Sequence, residues 1–128
     1  MKHIVLIFLF ISMLCVTGGC KNADPSLSVV GDALGHAEKT MRDKGFITAS
    51  SFQPEEYAKF RIMAGNHTSK EEAKELVENF LRAFESRLED IEKFYQTHEI
   101  IFDIKSDQDG EILFSGKKDH DQKIWWQF

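Results

Sequence analysis

Between Thr68 and Tyr95 the apolar residues Ala73, Leu76, Val77, Phe80, Leu81, Phe84, Leu88, Ile91, Phe94 and Tyr95 recur at helical steps. This is the signature of one face of a helix with about 3.6 residues per turn. Thr68 stands three residues before Glu71, the spacing of a capping box in which each side chain satisfies the other's free backbone N–H. Charged residues from Lys70 to Arg82 fill the opposite side. The pattern predicts one long amphipathic helix with an aromatic stripe that another layer must cover.

After Thr97 the period falls to two. Ile100, Phe102 and Ile104 alternate with Ile101, Asp103 and Lys105. Ile112, Phe114 and Gly116 alternate with Leu113 and Ser115, and Ile124, Trp126 and Phe128 alternate with Trp125 and Gln127. Three strands are predicted, joined by turns at Asp107–Gly110 and Lys118–Gln122. A three-residue loop ending at Gly110 sets Ile104 against Phe114 and Phe102 against Gly116. A five-residue loop over Lys118–Gln122 sets Phe114 against Trp126. Both loops keep Phe102, Ile104, Phe114, Ile124, Trp126 and Phe128 on one face, the natural cover for the helix. Gly116 would leave room there for Phe102 or Trp126.

Upstream, Asp24-Pro25 reads as a helix entry. Leu27, Val30, Leu34, Ala37 and Met41 follow at helical spacing, and Gly45 supplies the stop. Phe46–Phe52 reads as a strand or an extended linker. Tyr57–Ala64 fits a helix lined by Tyr57, Phe60 and Ala64, or a strand with Ala58, Phe60, Ile62 and Ala64 on one side; the strand is preferred. The expected class is α+β: a long helix on a C-terminal antiparallel meander of three strands, or four, with an N-terminal helix added. A helix followed by a meander resembles the cystatin-like or NTF2-like plan. That resemblance concerns fold alone.

The first twenty residues follow a different logic. Lys2 and His3 precede an apolar run from Ile4 to Val16, which ends at Thr17-Gly18-Gly19-Cys20. The run is short for a membrane span and suits a signal-peptide core. Small residues directly before a cysteine resemble the signal of a bacterial lipoprotein. The resemblance implies cleavage between Gly19 and Cys20, with diacylglycerol on the Cys20 sulfur. Thr17 departs from the pattern, where an aliphatic residue is commoner. The domain division is then 1–19 as signal, 20–25 as tether and 26–128 as one small domain.

With 128 residues the chain can hold one such domain, and 12% aromatics supply a core for it. A net charge of -5 argues against a nucleic-acid surface, which needs a basic stripe. Cysteines occur only at positions 15 and 20, which excludes a disulfide framework, a zinc finger or a cysteine nucleophile in the folded part.

Asp107, Asp109 and Glu111 fail as a calcium loop, because Lys105 and Gly116 occupy the positions where that motif needs acids. Asp119-His120-Asp121, even with His98 or His67, lacks a spacing that converges its ligands. Glu85, Glu89 and Glu92 read as a solvated helix face. Ser50 and Ser51 lack a nucleophile elbow, and no phosphate loop or dinucleotide fingerprint occurs. No metal, cofactor or catalytic residue is implied.

The functional expectation is a non-catalytic lipoprotein held on the extracytoplasmic face of the cell membrane, binding or blocking an envelope protein. An exclusion or immunity-type lipoprotein of a mobile element is one concrete form. The alternative is a carrier or sensor of a small apolar ligand. The expected contact surface is the outer face of the meander, centred on Trp125 with Leu113 and Lys105 beside it. The anchor has a direct test. Cys20→Ala is expected to abolish signal processing and membrane retention, read by fractionation and intact mass. A variant still in the membrane fraction at the wild-type mass would replace lipidation with an uncleaved anchor.

Overall fold

The computed structural model describes residues 25–128; the expected signal segment, Cys20 and the expected Asp24 cap lie outside them. The chain is α+β, with α1 (Pro25–Asp43), β1 (Thr48–Gln53), β2 (Tyr57–Ala64), α2 (Lys70–Glu85), α3 (Ile91–Thr97), β3 (Glu99–Ser106), β4 (Ile112–Lys118) and β5 (Ile124–Gln127). One five-stranded sheet runs in the order β1-β2-β3-β4-β5.

The stop after α1 is as the sequence indicates: Gly45 takes a φ of 92° and its N–H bonds to the Arg42 carbonyl. β1 and β2 form an antiparallel hairpin, and the strand reading of Tyr57–Ala64 holds, with Ala58, Phe60, Ile62 and Ala64 all buried. Glu55 turns that hairpin at a φ of 67°. Its N–H donates to Nε2 of the buried His98 at 3.0 Å, so His98 serves the turn and is not a free metal ligand.

The meander expectation needs two corrections. Three of the strands are the expected ones, but β1 and β2 extend the sheet to five. β2 also pairs with β3 in parallel, Phe60 lying beside Phe102 and Ile62 beside Ile104. The helical crossover between β2 and β3 permits this pairing, which no tight turn could make.

The long helix is broken. Arg87 and Leu88 close tight turns onto Phe84 and Glu85, and the Ser86 hydroxyl donates to the Ala83 carbonyl. Asp90 then starts α3 by accepting the Lys93 N–H. The apolar spacing runs through the break because α2 and α3 bury onto the same core. The capping box is present one residue later than expected, on Ser69 and Glu72; Thr68 donates to the Gly65 carbonyl instead.

α1 packs on α2 and β1, and α2 lies on the sheet face that carries Phe60. Phe60 stacks on Phe80 with ring centres 3.8 Å apart, and Phe60 and Phe102 follow at 5.5 Å. Phe84 meets Phe94 edge-on at 5.3 Å. At the far end of the sheet Trp126 stacks on Phe128, and Lys70 of α2 sits 4.7 Å over the Phe128 ring.

The end of α2 is tied down by a half-buried group of polar side chains. Glu85 accepts from the buried Tyr95 phenol at 2.7 Å and from Lys118 of β4. Burial first, then the bond to Glu85, pushes the Tyr95 pKa above the ordinary tyrosine range. Glu85 therefore does not belong to the solvated face expected for it.

The fold rests on the stripe. Phe80→Ala or Phe84→Ala is expected to cost roughly 3–5 kcal/mol, as for other buried Phe→Ala changes, read as the midpoint shift in chemical denaturation. Gly116→Ala is expected to destabilise by about 1–3 kcal/mol through overpacking. Its Cβ would lie 2.2 Å from the Trp125 carbonyl and 2.7 Å from the Phe102 ring.

Candidate functional site

All the helices lie on one side of the sheet, and among the described residues nothing covers the other. Strand alternation and the pairing registers fix what that bare face carries. One row crosses it as Ser51, Lys59, Ile101, Lys117 and Trp125, and the next as Ala49, Arg61, Asp103, Ser115 and Gln127. Trp125 therefore stands beside Lys117 and Ile101. The expected register of β5 is displaced by two residues: the turn spans Asp119–Lys123, and Trp126 pairs with Gly116 in place of Phe114. A shift of two preserves the face, so Trp126 still points inward and Trp125 outward.

Leu113 was expected on this face. The pairing shifts between Ile104 and Lys105, leaving Leu113 as the extra residue of a bulge. It turns to pack against the core, while Ile112, expected inside, moves opposite Lys105 and is 59% exposed. Lys105 is on the outer face as expected.

The result is an open groove of about 400 Å³ walled by Ile101, Ile112 and Trp125, with Asp103, Ser115 and Lys117 also lining it. Asp103 is buried in it but satisfied: Arg61 donates from Nε at 2.5 Å and from a terminal nitrogen at 2.8 Å. The hydrogen bond to Asp103 raises the Arg61 pKa above its ordinary value. Lys117 pairs with Glu99 at 3.0 Å.

Trp125 is 56% exposed, yet its indole N–H is engaged, donating to Asp119 Oδ2 at 2.6 Å. The other Asp119 oxygen accepts the N–H groups of Asp121 and Lys123 at 2.9 and 3.0 Å. His120 Nδ1 lies 2.8 Å from the Tyr95 carbonyl, linking the turn to α3. The Asp119-His120-Asp121 run thus builds and anchors a turn. Among the described residues no cluster of three or more His, Cys, Asp or Glu is placed to hold a metal ion. Alternation reveals Trp125, but nothing in the spacing reveals that Asp119 would hold it.

No helix among the described residues is long and apolar enough to cross a membrane. No family model, curated protein or solved structure matches this chain.

The bond from Trp125, then those from the turn backbone, lower the Asp119 pKa below the ordinary carboxylate range. A carboxylate depressed in the folded state contributes above its unfolded pKa and loses that contribution as pH falls through the lower folded value. The Trp125 indole N–H resonance is therefore expected to hold its position from neutral pH down through about pH 4, the ordinary aspartate midpoint, and to move only below it. Movement already near pH 5 would show that Asp119 does not hold the ring.

Proposed function

We propose that the chain is a lipid-anchored, extracytoplasmic binding domain, without catalytic chemistry of its own, that engages another envelope protein through the bare face of its sheet. The anchor rests on the Gly18-Gly19-Cys20 pattern. The binding role is carried by one observation: an uncovered sheet face presents a large aromatic, Trp125, whose orientation is already fixed by Asp119. A rigid, amphipathic ring loses little conformational freedom on contact, which is why tryptophan recurs at the energetic centres of interfaces. In this reading Ile112 replaces Leu113 at the contact surface, and Lys105 borders it from the position opposite Ile112.

The layer between α2 and the sheet argues against a carrier of apolar ligands. It is filled by the Phe60–Phe80 stack. Grooves of about 400 and 340 Å³ open at the surface and not in that layer.

The test compares adjacent tryptophans. Trp125→Ala is expected to keep the wild-type melting temperature and lose cross-linking to a partner in intact cells, with a photoreactive residue placed at Ile112. Trp126→Ala removes a ring packed edge-on against Phe102 at 5.0 Å and is expected to lower stability. Comparable stability losses in both would place Trp125 in a second core layer and move the contact surface elsewhere.

A further inference from the structure

From the charge on the bare face we infer the chemistry of its partner: an acidic protein segment that places an apolar side chain in the groove beside Trp125. The inference rests on the binding role proposed above and specifies what is bound.

The whole chain carries a net charge of -5, but its surface is divided. The outward positions of β2, β3 and β4 hold Lys59, Arg61, Lys105 and Lys117 against Glu99 and Asp103. Both carboxylates are already paired, Asp103 with Arg61 and Glu99 with Lys117, and Asp119 of the adjoining turn is engaged by the Trp125 indole. Lys59 and Lys105 make no ion pair among the described residues. The acids instead gather on the helical side, with Glu71, Glu75 and Glu78 exposed along α2. A positive face on an acidic protein repels the same face of a second copy, and it attracts and orients an acidic partner.

The groove supplies the second half of the recognition. Its walls are apolar, and the Trp125 indole has its only donor occupied by Asp119. What remains open to a partner is ring surface, so the complementary group is apolar and not a hydrogen-bond acceptor. Lys105 faces Ile112 across the strands, and Lys59 stands in the row of Ile101, Lys117 and Trp125. Carboxylates flanking the inserted side chain would meet these amines. A concave groove with fixed ion pairs suits a protruding protein segment better than the plane of an anionic bilayer.

The experiment records methyl and indole NMR spectra of the full-length chain in neutral detergent micelles. The probes are a synthetic peptide with leucine and phenylalanine flanked by aspartates and glutamates, its counterpart with lysines in place of the acids, and vesicles of phosphatidylcholine with phosphatidylglycerol. The acidic peptide is expected to shift Trp125, Ile101 and Ile112, and to bind more weakly as salt rises through the range where the screening length falls below about 8 Å. Lys59→Glu with Lys105→Glu, both at exposed or half-exposed positions, is expected to weaken it about tenfold with the fold unchanged. Equal or tighter binding of the lysine peptide would overturn the inference. So would shifts confined to other surfaces, no binding by either peptide, or vesicles perturbing these signals where the acidic peptide does not. Cross-linking from the Ile112 position in cells separates the two claims. A captured partner whose contact segment lacks acids contradicts this inference and leaves the binding role standing, whereas absence of any cross-link removes both.

Discussion

Burial of one aromatic stripe against one side of the sheet is the constraint on which the rest depends. Phe80 of α2 stacks on Phe60 of β2, and Phe102 of β3 adjoins it. The first contact holds α2 on the sheet face that carries both rings. α1 is drawn to the same side, where Glu38 accepts from the Ser50 hydroxyl of β1. The β2–α2–α3–β3 crossover then sets β2 and β3 parallel. With the described helices on one side, nothing among the described residues covers the other side of the five-stranded sheet. A half-solvated sheet is expected to alternate apolar-in and polar-out. Lys59 and Arg61 of β2 fit that pattern, whereas Met63 and, on β3 to β5, Ile101, Ile112 and Trp125 stand on the wet side.

How legible this was in the sequence differs by element. Period-two alternation marked β2 to β5 and the facing of Trp125 and Trp126, because a residue's side of a sheet survives any even shift of register. It could not fix the register of β5, since loops of equal length centred one residue apart give the same alternation. The bulge at Leu113 lies beyond such reasoning too: one unpaired residue reverses the facing of Ile112 and leaves the hydrophobic pattern almost intact. Helical spacing marked α2 and α3 as one unit, since a bend does not interrupt a stripe buried on a common core. Ser86 and Asp90 carried the local signal for the break, through side chains that compete for backbone groups. The parallel pairing depended on reading Tyr57–Ala64 as a strand that meets β3 across the helical crossover.

The candidate site was legible in its centre and not in its support. Trp125 could be assigned outward from its neighbours alone. Asp119, which fixes the ring, looked like one acid in an acidic turn. The Arg61–Asp103 pair joins residues far apart in sequence, and no local pattern announces it. These contacts convert an exposed aromatic among lysines into a rigid feature with an occupied donor, and that gives the face a chemistry more specific than hydrophobic exposure.

The central claim is that this face is bare in the isolated protein and covered where the protein works. Ile101 sits at its middle and is 37% exposed. The direct measurement is the rate of thiol labelling of Ile101→Cys, taken in the purified protein in micelles and again on intact native membranes. Rapid labelling is expected in the first and strong protection in the second, with protection lost on adding Trp125→Ala. Equal rates in both settings, or a thiol already unreactive in the purified protein, would contradict it.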